Sequence, residues 1–156
     1  MFETLFAYHW HTNRRLLECV AQLAEADYRR HPGYGHGAVH DLLFHILRTD
    51  YGWRRALETG QQVAPLLPAD YTDLATLQAG FASEQQAWDS LLASWDNDTV
   101  MGDISLTTRR GDIFPTARWR VLQHVILHGM QHHSELAQLL TAYNRSPGDL
   151  DFIFFG

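Results

Sequence analysis

Lysine is missing from this chain of 156 residues, and all twelve basic side chains are arginines. They stand against 18 acidic residues, which leaves a net charge of −6 at pH 7 with histidine neutral. That balance excludes broad contact with a nucleic-acid backbone, whose affinity comes from clustered Lys and Arg neutralising phosphates. Most arginines fall in pairs, Arg14-Arg15, Arg29-Arg30, Arg54-Arg55 and Arg109-Arg110, and read as solvated surface. A single cysteine, Cys19, rules out an intrachain disulfide and a cysteine-rich zinc site; it reads as a small apolar residue. No apolar run approaches the roughly 18 residues of a membrane span. The opening Met1-Phe-Glu-Thr-Leu-Phe6 lacks the charged and then apolar segments of a secretory leader. A cytoplasmic protein with no membrane or nucleic-acid partner is the expectation.

What the chain does have is an ordinary globular composition, 46% hydrophobic, and enough length to bury a core as one domain over residues 1–156. Four stretches carry apolar residues at helical spacing. The first runs from about Phe2 to Leu23. The His31-Pro-Gly-Tyr-Gly-His-Gly37 segment cannot continue a helix. The second runs from about Ala38 to Glu58 and stops at Gly60. Residues 61–71, with Pro65 and Pro68, read as a linker. The third starts near Thr72, taken as its N-cap, and reaches Trp95. Asp96–Pro115 breaks the helical period: Ile104-Ser-Leu-Thr107 alternates, Arg110-Gly-Asp112 signals a turn, and Ile113-Phe114 follows, which predicts a short hairpin. The fourth stretch runs from about Thr116 to Asn144. Four amphipathic helices of this length predict an all-α four-helix bundle, with a hairpin-like connection before the last helix. The apolar tail Phe152-Ile-Phe-Phe155 must then be buried somewhere.

Ten histidines in 156 residues set where chemistry is sought. In the last stretch His124, His128 and His132 recur one helical turn apart, about 6 Å along the axis. A helical wheel makes them unequal. His132 falls inside the apolar sector of Val121, Val125, Leu136, Leu139 and Tyr143, and His128 lies at its edge. His124 lies further round, beside Glu135, and His133 points away, exposed or at a bundle corner. A buried imidazole must satisfy two ring nitrogens where partners are few. For His128 and His132 alone, a shared cation and a satisfied polar pair both remain open. His45, at the edge of the apolar stripe of the second stretch and flanked by small Ala38, Thr49, Gly52 and Ala56, supplies a third imidazole. Three neutral imidazoles suit zinc, nickel, iron(II) or copper and leave coordination positions open. Other chemistries lack their residues: there is no His-Glu-x-x-His pair, no Glu-x-x-His pair, no glycine-rich phosphate loop after a strand, and no base beside Ser83 or Ser134.

The chain resembles the DinB/YfiT-like superfamily of metal-dependent bundle proteins. The blocks that carry the likeness are Tyr8-His-Trp-His-Thr-Asn13-Arg, Ala38-Val-His-Asp-Leu-Leu-Phe-His45 with Trp53 beyond it, Gly111 before Pro115-Thr-Ala-Arg-Trp119, His124-Val-Ile-Leu-His128-Gly-Met-Gln-His132-His133, and Leu150-Asp-Phe-Ile-Phe154. The resemblance implies an up-down-down-up bundle, often a homodimer, with one divalent metal on His45, His128 and His132. It departs where many members carry Arg after the second ligand of the last helix; here that residue is His133.

Some members of that superfamily resemble thiol-dependent transferases or isomerases using bacillithiol, mycothiol or glutathione. The first functional expectation is therefore a metal-dependent enzyme of the thiol-S-transferase type, acting on a low-molecular-weight thiol and an electrophile, or its hydrolytic variant with water as nucleophile. In it His9, Asn13 and Trp53 would line the cavity mouth, and His124 or Glu135 would support His128 from behind. The alternatives are a non-catalytic metal-binding protein of stress response and a bundle whose histidines only pack.

Overall fold

The computed structural model describes residues 2–156. Helix α1 spans Phe2–Val20, three residues short of the expected Leu23, because Ala21–Leu23 close into a turn. A single further turn follows, α2, Glu25–Tyr28. Helix α3 spans Val39–Thr59; Asp41 Oδ2 accepts from the Ala38 backbone N–H at its start, at 3.1 Å. It ends on Gly60, whose φ of +71° is the left-handed stop that glycine adopts without steric penalty. The linker contains a 3-10 turn, Pro68–Asp70.

Helix α4 spans Leu74–Ala93. Its N-cap is Asp73, not Thr72: Asp73 Oδ1 accepts from the Thr76 backbone N–H at 2.8 Å, while the Thr76 hydroxyl oxygen accepts from the Asp73 N–H at 3.3 Å. A short helix absent from the sequence reading, α5, covers Asn97–Met101 and is capped by Asp96. The expected hairpin is present as strands β1, Asp103–Thr107, and β2, Ile113–Ala117, antiparallel with Ser105 opposite Pro115. Helix α6, Arg118–Ala142, completes the bundle.

Four long helices enclose the core. Both α1 and α3 pack on α4 and α6, so the consecutive helices α1 and α3 sit on a diagonal rather than side by side. Side-chain pairings give the directions. His133 reaches Asn13 and Gly129 abuts His9, so α1 and α6 are parallel. Phe6 meets Trp88 and Arg14 meets Gln85, so α1 and α4 are antiparallel. Trp53 contacts His124 and His45 contacts His128, so α3 and α6 are antiparallel. The order is up-down-down-up, which forces the linker to cross the length of the bundle.

The centre is filled by Phe6, Trp10, Leu42, Ile46, Leu77, Trp88, Leu122 and Leu136, all under 2% exposed. Phe6 and Trp88 meet with centroids 4.6 Å apart, worth about 1 kcal/mol beyond the area they bury.

One surface expectation is corrected. Arg54 is buried: its Nε and Nη2 donate to both oxygens of Glu84 at 2.5 and 2.9 Å, and Nη1 donates to Glu58 at 2.7 Å. A forked guanidinium that finds two carboxylates can leave water. This chain by itself does not bury the aromatic tail: Ile153 and Phe154 are 81% and 75% exposed, while Phe152 and Phe155 turn their edges onto Tyr8.

Candidate metal centre

The facing sides of α3 and α6 bring three imidazoles together. His45 Nε2 lies 3.0 Å from His128 Nε2, and His132 Nε2 lies 3.1 Å from the same atom. The diagonal topology matters here: it makes α3 and α6 direct neighbours, so a residue in the middle of one meets a pair four apart on the other. His132 is buried, and His45 and His128 are half-buried.

His36 joins them from the glycine-rich segment before α3. One ring nitrogen each from His36, His45 and His132 lie within 4.8 Å of one another, so these side chains can hold a metal ion. The His36 ring stacks on His45 at 4.4 Å and meets the edge of His132 at 4.4 Å.

The protonation of these rings favours a cation. Burial, aided by His132, His36 and Arg48, lowers the pKa of His45 to about 4. Burial, aided by His132, His45 and His124, lowers that of His128 to about 3. Both are neutral at pH 7, the form that binds metals. His132 Nδ1 donates to Glu135 Oε2 at 3.1 Å, which leaves its Nε2 as a bare lone pair. His128 can donate from Nε2 to only one of the two nitrogens facing it, and its buried Nδ1 has no partner among the described residues. Hydrogen bonding therefore leaves the group unsatisfied. A shared cation resolves it, because nitrogens each about 2.1 Å from one ion stand about 3 Å or slightly more apart.

Glu135 has a second contact. Its Oε1 accepts from the His36 backbone N–H at 3.0 Å. Burial pushes the Glu135 carboxyl up, but the contacts from His36 and His132 outweigh it and the net direction is down, so the carboxylate is ionised. Glu135 thus supports His132 and the His36 loop rather than His128. His124 gives no hydrogen bond to His128; it is exposed, and its ring meets Trp53 at 5.1 Å.

A cavity of about 370 Å³ opens beside His45, lined by Arg48, Thr49, Gly52, Trp53 and Arg109 among others. Trp53 lines the cavity, as the sequence led one to expect, and the small residues near His45 make the space. Neither Arg48 nor Arg109 has a carboxylate partner among the described residues, so the cavity carries uncompensated positive potential beside the imidazoles.

His9 and Asn13 do not line the mouth. They are 1% and 2% exposed and belong to a separate polar knot in the core. His9 bonds Asp50 at 2.9 Å and Asn13 Oδ1 accepts from His133 Nε2 at 2.9 Å. His133 is 1% exposed: of its two expected placements, exposed or at a bundle corner, it takes the packed one, between α6 and α1. Its pKa is driven well below the usual value by burial and by neighbouring His9, so it packs as a neutral ring.

His36 and Asp50 were missed in the sequence. For Asp50 a signal existed: with Leu43 and Ile46 it shares the apolar stripe of α3, where a carboxylate needs a partner. For His36 the only signal was a histidine between two glycines in a segment read as a breaker.

A model of the DinB family matches residues 1–155. No curated protein sequence matches the chain. Two solved structures share its fold at low identity. YfiT from Bacillus subtilis, described as a probable metal-dependent hydrolase with an unusual four-helix bundle topology, is 11% identical with a TM-score of 0.71, covering 93% of this chain and 89% of its own. The DinB-like protein YjoA from Bacillus subtilis is 13% identical with a TM-score of 0.66, covering 91% and 93%.

Proposed function

The chain belongs to the DinB family, and from that premise we propose that it is a metal-dependent enzyme whose single divalent ion is held by His45, His128 and His132. The observation that carries this reading is the convergence of three Nε2 atoms, two contacts of 3.0 and 3.1 Å onto His128, beside an open cavity. An all-imidazole set suits zinc, nickel or iron(II). When bound, the ion would supply Lewis acidity that lowers the pKa of a thiol or a water nucleophile.

The chain's own residues define the rest. Glu135 fixes the tautomer and orientation of His132. Thr49 and Gly52 keep the space beside His45 open, and Trp53 forms an apolar wall. Arg48 and Arg109 would attract an anionic group on the substrate. These features favour transfer of a low-molecular-weight thiol to an electrophile. A sulfur–carbon bond forms, the leaving group departs with its electron pair, and the thiol proton passes to solvent.

Hydrolysis is the second reading, favoured by the family neighbour YfiT with its description as a probable metal-dependent hydrolase. A non-catalytic metal-binding role is the alternative to both. The test uses protein purified without a histidine tag. Elemental analysis is expected to find about one transition metal per chain, and the loaded protein to conjugate a thiol to an electrophile. His128→Ala is expected to lose both. Turnover persisting in metal-free His128→Ala overturns the enzyme reading. Bound metal without turnover across thiols leaves the non-catalytic role, and absence of metal overturns the site.

A further inference from the structure

We propose that His36 is a fourth metal ligand, brought to the site by the glycine-rich segment that precedes α3. The inference rests on the metal reading above and adds to it a ligand from outside the two helices.

Three observations support it. First, position: the His36 ring lies 4.4 Å from both His45 and His132. Those two are 4.7 Å apart, and His45 and His128 are 5.0 Å apart. His36 is therefore as close to two members of the cluster as they are to their own partners, and its ring nitrogen forms a group within 4.8 Å with those of His45 and His132, a group that does not include His128.

Second, orientation. Glu135 addresses His36 as it addresses His132. Its Oε2 lies 3.1 Å from His132 Nδ1 and 3.4 Å from His36 Nδ1. One carboxylate thus faces the Nδ1 atoms of both rings, hydrogen-bonded to His132 and in longer contact with His36. A carboxylate behind an imidazole is the usual support of a metal-bound histidine. Its presence behind His36 is unexplained if His36 is an ordinary surface residue.

Third, the backbone is shaped for it. Gly35 has φ +64°, and a Cβ there would stand 2.0 Å from Glu135 Oε1. Only glycine lets the chain come this close, and the approach also allows the His36 N–H to bond Glu135 Oε1 at 3.0 Å. The loop is pinned to the carboxylate that serves the site. His36 nevertheless keeps 41% side-chain exposure, so it sits on the solvent side, and a thiol or water would join the four imidazoles as a fifth ligand.

Cobalt(II) tests this without reference to turnover. The visible bands of tetrahedral cobalt(II) shift in energy when a nitrogen donor is replaced by water, and they weaken strongly when the ion becomes five- or six-coordinate. Wild-type protein, His36→Gln and His45→Ala are each titrated with cobalt(II) and followed by absorbance, with circular dichroism to check folding. Wild type is expected to show the tetrahedral bands. His36→Gln is expected to keep its fold but to shift or weaken the bands, with the dissociation constant raised about tenfold or more. His45→Ala is expected to abolish binding. An unchanged spectrum and affinity in His36→Gln overturns the role of His36 and leaves the three-histidine site standing. Failure of wild type to bind cobalt(II) overturns the site itself, and this inference with it.

Discussion

His9 on α1 and Asp50 on α3 meet across the diagonal of the bundle, with His9 Nε2 2.9 Å from Asp50 Oδ2 and both side chains at or below 1% exposure. This contact joins two helices that otherwise pack on common neighbours. Removing one partner of such a pair strands the other in the core, at about 3–5 kcal/mol. Asp50→Ala is expected to lower the unfolding free energy by about that amount, whereas Arg55→Ala, which breaks a contact with Glu58 at the surface, changes it by about 1 kcal/mol or less. Urea titration reads both, and equal losses would show that burial does not set the value of the His9–Asp50 contact.

Gly129 gives a test in which two effects oppose. It lies within α6, where alanine is intrinsically better by about 1 kcal/mol. A Cβ at this position would stand 2.5 Å from two atoms of His9, and His9 is held by Asp50. Overpacking of about 1–3 kcal/mol wins, so Gly129→Ala is expected to lower the thermal midpoint. In a His9→Ala background the obstacle is gone, and the same change is expected to stabilise. A stabilising effect in both backgrounds refutes the packing argument.

The two unpaired arginines of the cavity predict selectivity. Each is exposed, so its attraction for an anion is worth about 1 kcal/mol at most. Replacing Arg48 and Arg109 together by Gln is expected to weaken binding of mercaptosuccinate roughly three- to tenfold and to leave neutral 2-mercaptoethanol unchanged. Competition binding to the metal-loaded protein measures both; equal losses for the two thiols would rule out charge recognition.

The histidine cluster predicts how the metal-free protein responds to acid. In the unfolded chain His45 and His128 take up protons near 6.5; in the fold they resist until about 4 and about 3. Below 6.5 the unfolded state binds more protons, so stability falls as pH falls through the window from 6.5 to about 3 and is fully present above it. The urea midpoint of the metal-free protein is expected to drop between pH 7.5 and pH 5, and to drop less in His45→Ala. A midpoint independent of pH in this range would mean that the rings are not held neutral.

Much of the architecture was legible because helices announce themselves by period. Leu42, Leu43 and Ile46 on α3 and Val121, Val125 and Leu136 on α6 recur at the spacing of a buried face, and each is buried. The break at Asp96–Pro115 announced the hairpin through Gly111 and the alternation around Ile104. Short elements escaped for the same reason: α5, Asn97–Met101, is too brief to show a period. Thr72 and Asp73 are both acceptable caps, and only the reciprocal contact with Thr76 distinguishes them.

The histidines divide along the same line. Sequence alone determined that His128 and His132 share a helix face, because four residues are about one turn. It also marked His45 as an imidazole on the edge of an apolar stripe with small neighbours. Only the tertiary structure decided that α3 and α6 are neighbours, that Glu135 supports His132 and not His128, that His9 and Asn13 belong to the core, and that His36 reaches the cluster. Spacing along one helix is fixed by backbone geometry. Contacts between helices, and the path of a glycine-rich loop, depend on how the whole chain packs.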